Sequence, residues 1–320
     1  MKHASNSLLA LAIAAVLAAC APKAPPAVDN AAAAPATQSA ANEDVRNFTI
    51  GTLSATALRD GYLEFPNDNQ VFGLQRTPAE VAAVLTAAGL PTDKLQLSVQ
   101  PLLVKSADKV LLFDTGAASR FGPTSDKLPA SLAAAGVDPQ SVTDIFISHA
   151  HGDHVGGLLN AEGKLAFPNA TIYMSAPEWD FVRGLDEKTA SSMGLSPLAA
   201  FISAVTPKVV AFAPGAEIVP GVVKAVDIKG HTPGHSGYLI GSGNDTLLYV
   251  GDAVHHSVVS VQQPGWGNGF DGDPATGAAT RKAVIEQNAA SGQRVYAVHF
   301  PFPGIGKFEK RGEGFVWVAE

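Results

Sequence analysis

Cysteine is almost absent from this chain: Cys20 is the single one in 320 residues. That excludes a disulfide framework, and it excludes a cysteine-based zinc site in the body of the protein. Charge is also sparse. Charged residues make up 16%, Lys+Arg 22 against Asp+Glu 29 gives a net −7, and no basic run of five or more occurs. Gripping nucleic acid takes a cationic surface for the phosphates, so no nucleic-acid partner is expected. The apolar run Leu8–Ala19 (LLALAIAAVLAA) is too short to span a membrane. Twelve helical residues reach roughly 18 Å, against a hydrocarbon core of about 30 Å. What the chain does have is apolar content, at 46%, with 7% aromatics. Such a chain can bury a large core and is not disordered.

The N-terminus reads as an address. A short positive start, Met1-Lys2-His3, precedes the apolar run, so residues 1–19 have the form of a signal peptide. The run closes on Leu17-Ala18-Ala19-Cys20, which resembles the bacterial lipoprotein box, in which the cysteine is lipidated and becomes the new N-terminus. The resemblance implies a lipoprotein of the cell envelope. Ala21, rather than aspartate, follows the cysteine, which points to the outer membrane, facing the periplasm. Residues 20–45, with ten Ala and four Pro after the cysteine and no apolar period, read as a tether. The remaining residues, 46–320, are expected to form one domain.

Within it, short β-rich runs alternate with capped helices. Strands are expected in 48–58 and 95–104, and at 110–113, 145–148, 171–174, 222–226, 238–240, 246–250 and 294–298. Thr77-Pro78-Ala79-Glu80 is a capping box with proline at the first helical position, opening a helix that stops at Gly89. Further helices are expected at about 128–135 and 276–290. Many short strands in two groups with interspersed helices suggest an α/β protein with two packed sheets and helices outside.

The segment His149-Ala150-His151-Gly152-Asp153-His154 carries the chemistry. Three imidazoles and a carboxylate in six residues supply borderline nitrogen and hard oxygen, a donor set for zinc and also for iron or manganese. His149 and His151 can face one ion, leaving Asp153 and His154 for a second, and Gly152 permits the tight turn this needs.

HAHGDH resembles the HxHxDH motif of the metallo-β-lactamase-fold hydrolases. Other motifs follow in family order: Asp114-Thr115-Gly116, then HTPGHS, then Gly251-Asp252, then His299 at the end of the last expected strand. The resemblance covers about residues 46–320 and implies a four-layer αββα sandwich with the site at one edge of the sheets. It implies two divalent ions, zinc first among the candidates. Carried over by position, His149, His151 and His235 hold one ion, Asp153, His154 and His299 the other, and Asp252 bridges them. The ions would activate a shared water for attack on a carbonyl or phosphoryl centre, with Asp252 or Asp153 carrying the proton to the leaving group. Asp114 is expected behind the ligands, orienting a histidine. His231 is expected to shape the turn that carries His235.

Within the superfamily, the stretches around Asp60-Gly61-Tyr62, Phe121-Gly122-Pro123-Thr124 and Phe167-Pro168-Asn169-Ala170 look most like the branch of methyl parathion hydrolase and related lactonases. That branch acts on organophosphate triesters, lactones and aryl esters, small neutral substrates. Phe121, Trp179, Phe181, Phe201, His255, Trp266 and Phe270 are candidates for the substrate pocket, the tryptophans and Phe181, Phe201 and Phe270 because they fall in segments that read as loops. A glyoxalase II-like thioesterase and a β-lactam hydrolase are the enzyme alternatives, and a metal-retaining binding lipoprotein the non-enzyme one. The oligomer to test is a dimer.

Overall fold

The structure is a computed structural model and describes residues 43–320. The expected signal peptide, Cys20 and nearly all of the expected tether lie outside the described residues. Val45, where the tether was expected to end, already belongs to the first strand.

Two seven-stranded sheets form the frame, each laid down in chain order. The first comprises β1 (Val45–Ile50), β2 (Leu53–Leu58), β3 (Leu102–Ser106), β4 (Lys109–Phe113), β5 (Asp144–Phe146), β6 (Thr171–Ser175) and β7 (Val209–Phe212). The second comprises β8 (Glu217–Val219), β9 (Val223–Asp227), β10 (Ser236–Ser242), β11 (Asp245–Tyr249), β12 (Arg294–Tyr296), β13 (Ile305–Arg311) and β14 (Gly314–Ala319). The helices are α1 (Pro78–Ala87), α2 (Leu128–Ala134), α3 (Ala176–Gly184), α4 (Glu187–Ser192), α5 (Leu198–Val205) and α6 (Pro274–Ser291), beside single turns. Two small ribbons, Gly61–Pro66 with Lys94–Val99 and Phe72–Leu74 with Gly267–Asn268, complete it.

Side-chain alternation sorts the layers. In β4, Leu111 and Phe113 point between the sheets while Leu112 points out toward α2. In β11, Leu247 and Tyr249 point between the sheets, and Leu248 points out toward Val284 and Ile285 of α6. Because each sheet is apolar on both faces, each must be covered twice, which gives the αββα order. The expected capping box is present: Thr77 Oγ1 accepts from Glu80 N, and the Glu80 carboxylate accepts from Thr77 N.

Each sheet is antiparallel except where strands run side by side in the same sense: β4 with β5, β5 with β6 and β6 with β7 in one sheet, and β11 with β12 in the other. Parallel neighbours end at the same edge, so the segments leaving them converge there. Asp114 follows β4, the HAHGDH segment follows β5, Asp252 follows β11 and His299 follows β12. One edge of the sandwich therefore receives all four.

Trp179 and Phe201 are corrected here. Both are buried on helices, α3 and α5, in the core cluster outside the first sheet with Ile145, Ile172 and Met174. The helix of Trp179 had a readable start: Ser175 Oγ accepts from Glu178 N, with proline in the first turn. Trp266 is corrected too. It packs against the small cluster of Phe72, Val81 and Leu85, under the guanidinium of Arg76, 5.4 Å from the ring centroid.

Candidate metal centre

The HAHGDH backbone turns sharply after β5. Gly152 N donates to Met193 O (2.7 Å), and the single helical turn Gly152–Val155 swings Asp153 and His154 away from His149 and His151. Across the edge, Gly251 adopts φ +47, and a Cβ there would lie 2.5 Å from His235 Nε2. Glycine is needed at that position for both reasons.

The side chains converge as two groups of potential ligands: His149, His151, His231 and Asp252, and Asp153, His154 and His299. In the first, His151 Nδ1 lies 2.9 Å from His149 Nε2 and 2.8 Å from His231 Nε2, and these two lie 3.1 Å apart. In the second, Asp153 Oδ2 approaches His154 Nε2 (3.5 Å) and His299 Nε2 (3.4 Å). Asp252 joins the groups. Its Oδ2 lies 3.3 Å from His231 Nε2, and its Oδ1 lies 3.1 Å from both His154 Nε2 and His299 Nε2.

Which nitrogen of each ring is free is set from behind. His154 Nδ1 donates to Asp114 Oδ2 (2.7 Å), His299 Nδ1 to Ser98 O (2.6 Å), and His231 Nδ1 faces Asp271 Oδ1 (3.4 Å). His149 Nδ1 meets Ser148 Oγ (3.1 Å), whose own hydrogen goes to Asp114 Oδ2 (2.7 Å). Each of these rings therefore presents a bare Nε2 lone pair to the centre. The His149 and His231 lone pairs, 3.1 Å apart, repel one another unless a cation lies between them, and tetrahedral zinc with Zn–N about 2.05 Å has ligand edges of about 3.3 Å. His154 Nε2 and Asp252 Oδ1 are buried with no hydrogen-bond partner, as atoms reserved for an ion would be. The residues present fit two divalent ions.

Electrostatics separates the two groups. Burial holds His149 and His231 well below the usual histidine range and brings His151 down to about 4, so the first group is neutral imidazole, the ligand form. Burial also opposes charge on His154, but Asp252, Asp153 and Asp114 hold it well above its ordinary value. His299 is raised in the same way by Asp252 and Asp153. Burial pushes Asp252 up, yet His154 and His299 hold it well below the usual carboxylate range. The carboxylates of the second group thus favour positive charge at its centre, which a divalent ion would supply with the rings neutral.

The ligand assignment of His235 is corrected by this geometry. Its Nδ1 donates to Ile228 O (3.0 Å) and its Nε2 accepts from Asp252 N (3.0 Å), so neither nitrogen is free. His231, expected only to shape the turn, takes the place in the first group. Both histidines lie in HTPGHS, and spacing alone could not say which one faces inward.

Asp114 lies behind the centre at φ +57, a conformation rare outside glycine. Beside His154 and Ser148 Oγ, its Oδ2 accepts from Tyr249 Oη (2.7 Å), and its Oδ1 accepts from Ser148 N (2.7 Å). Two other supports were not foreseen from the sequence. Glu178, wholly buried, accepts from Ala150 N (2.8 Å) through Oε1 and from Thr232 Oγ1 (2.7 Å) and Gly234 N (3.0 Å) through Oε2, joining the HAHGDH and HTPGHS segments. Asp271 faces His231 on one side and the buried Arg281 guanidinium on the other. The Ser175-to-Glu178 capping spacing was the available signal for the first; Asp271 had none.

A cavity of about 410 Å³ opens on the centre, with His151, Asp153, His231, Asp252, His255 and His299 at its floor and Leu63, Phe65, Leu97, Phe121, Met193 and Phe270 on its walls. Of the expected pocket residues, Phe121, His255 and Phe270 line it. A second cavity of about 550 Å³ shares His151, Met193, His231 and Phe270 with it.

A sandwich edge that carries paired His/Asp groups on the ends of parallel strands defines a metallo-hydrolase class, and the sequence agrees. The model of the metallo-beta-lactamase superfamily matches residues 96–291, and the chain belongs to that superfamily. Among solved structures, it is similar to AidC, a dizinc quorum-quenching lactonase, at 30% identity and TM-score 0.81, covering 86% of this chain and 97% of that one. It is also similar to the hydrolase AbOPH, at 28% identity and TM-score 0.77, covering 87% and 97%. Ribonuclease Z of Lactobacillus gasseri is 35% identical over 109 residues, and the match spans 32% of each chain. The chain thus matches about a third of the length of that curated relative.

Proposed function

We propose that this protein is a dinuclear zinc hydrolase that opens neutral, largely apolar ester-type substrates, lactones first, then aryl esters and phosphotriesters. The observation that carries the reading is the apolar wall of Leu63, Phe65, Leu97, Phe121 and Phe270 standing directly over two joined His/Asp groups. The likeness to a lactonase and to the hydrolase AbOPH over nearly their whole lengths supports it. His149, His151, His231 and Asp252 would hold one ion, and Asp153, His154, His299 and Asp252 the other. Ions held there would activate water and polarise the scissile bond at neutral pH. The chain itself supplies orientation: Asp114, Ser98, Ser148 and Asp271 fix the histidine tautomers, and Asp252 keeps the two groups in register. Asp153, which also lines the cavity floor, would take a proton from the attacking water and pass it to the departing oxygen.

The likeness to Ribonuclease Z favours phosphodiester chemistry as a second reading. A net charge of −7 disfavours it, because a polyanion gains nothing from such a surface. A panel of lactones, aryl esters, phosphotriesters, thioesters, β-lactams and a bis-aryl phosphodiester, assayed before and after chelation and zinc return, tests the choice. Zinc-restored turnover of a lactone or neutral ester is expected. Phosphodiester turnover alone, or none at all with two metals bound, would overturn it.

We propose further that Cys20 anchors the protein to the outer membrane by lipid, with the domain in the periplasm. Cys20→Ser should move the protein from the membrane to the soluble fraction, and unchanged fractionation would refute the anchor.

A further inference from the structure

His255 is a buried histidine on the cavity floor that belongs to neither ligand group. An asparagine fixes which of its ring nitrogens accepts. Asn268 Oδ1 accepts from Phe270 N (3.1 Å), which fixes the amide orientation and turns Asn268 Nδ2 toward His255 Nδ1 (2.8 Å). An amide NH₂ can only donate, so Nδ1 accepts and the ring hydrogen sits on Nε2. The four histidines that bare Nε2 to the centre do the opposite, with Nδ1 meeting an oxygen.

That Nε2–H has no hydrogen-bond partner. It lies 3.1 Å from Asp252 Oδ2 but is not aligned with it, and the residue is 1% exposed. A buried N–H without an acceptor is costly and rare, so its presence calls for a function. His154 Nε2 and Asp252 Oδ1 are also without partners, but they offer electron pairs and suit a cation. His255 offers a hydrogen and suits an oxygen.

We propose that His255 donates a hydrogen bond from Nε2 to the substrate oxygen that gains negative charge during hydrolysis, and that Asn268 is the positioning residue that sets its tautomer. The inference rests on the hydrolase reading above. Phe270 packs against the His255 ring, with centroids 5.4 Å apart, and its backbone N–H holds Asn268, so one short segment builds both the donor and the cavity wall. No proton leaves Nε2 in this role. The donor is strongest where charge develops, so its loss should lower kcat more than it raises KM.

The test has two arms. Long-range ¹H–¹⁵N spectra of the histidine rings in the intact protein should show His255 protonated on Nε2 in the wild type and on Nδ1 in Asn268→Asp, whose carboxylate accepts. Protonation on Nδ1 in the wild type overturns the proposal whatever the enzyme does. In the second arm, His255→Leu, His255→Gln and Asn268→Asp are assayed on the best panel substrate, with metal content measured on each. His255→Leu and Asn268→Asp should lower kcat by roughly a hundredfold or more with both metals kept and KM changed little. His255→Gln, which retains an N–H, should recover part of the loss. Wild-type kcat in His255→Leu, or equal losses in His255→Leu and His255→Gln, overturns the proposal and leaves the hydrolase reading standing. A wild type that turns over nothing removes the hydrolase reading and this proposal with it, a result distinct from either.

Discussion

Oδ2 of Asp252 lies 3.3 Å from Nε2 of His231, the histidine that takes the place expected for His235. The two histidines are four residues apart in one motif, and their roles separate cleanly. His231→Ala should lose about one metal ion per chain and at least roughly a hundredfold in turnover. His235→Ala should keep both metals. It should destabilise the fold by about 2–4 kcal/mol, because it leaves Ile228 O and Asp252 N buried without partners. Metal analysis and denaturant melts of both variants check this. Metal loss in His235→Ala alone would reverse the assignment.

Asp252 should matter more than any other single ligand. It touches both groups, whereas His299 serves one. Removing it leaves His154 and His231 with no shared anion between their groups. Asp252→Ala is therefore expected to lower turnover by roughly a thousandfold or more, and His299→Ala less, since about 1.36 kcal/mol is tenfold in rate. Retention of both metals and near-normal turnover in Asp252→Ala would dismiss its joining role.

Glu178 accepts from three donors on two motif segments, and glutamine has only one carbonyl oxygen to offer them. Glu178→Gln should cost about 1–3 kcal/mol of stability and weaken metal binding roughly 10–100-fold, although the residue touches no ion. Competition with a metal-binding dye reads the affinity. An unchanged value would mean that the two segments hold their places without it.

Asp60 gives a pH prediction. Burial raises its carboxyl to about 6, although Ala117 N and Leu128 N donate to it. An acid whose folded value lies above its unfolded one favours the fold most below about pH 3.8, and loses that contribution as pH rises through 6. The stability of the wild type relative to Asp60→Asn should therefore fall by about 2.4 kcal/mol between roughly pH 4 and pH 7.5, because each tenfold difference in proton affinity between the folded and unfolded chain is worth about 1.36 kcal/mol. Paired denaturant melts at the two pH values decide it. A constant difference would place the Asp60 titration at its unfolded value.

Much of the fold was legible because local signals agreed. The Thr77–Glu80 capping box, the helical run at 276–290 and the β-rich runs at 110–113 and 246–250 each form the element their residues favour. The strands of the C-terminal hairpin, β13 and β14, were less legible. Residues 305–311 run buried, buried, exposed, buried and then exposed, and 314–318 are half-buried throughout, so neither strand shows the strict alternation that marks a strand in a linear reading.

The sequence by itself determined the donor chemistry: three imidazoles and a carboxylate within 149–154, followed in order by HTPGHS, Asp252 and His299, with no cysteine among them. These are properties of residue type and spacing, so a linear reading recovers them. It could not decide between His231 and His235, because which ring turns inward depends on Ile228 O and Asp271, which only the fold brings against them. Nor could it place Trp179 and Phe201, whose apolar surface suits a core and a pocket wall equally until α3 and α5 dock on the first sheet. The tautomer of His255 was likewise settled outside its own motif, by Asn268 and the backbone of Phe270. Hydrogen bonds act over about 3 Å of space whatever the distance along the chain, and only folding brings those partners within reach.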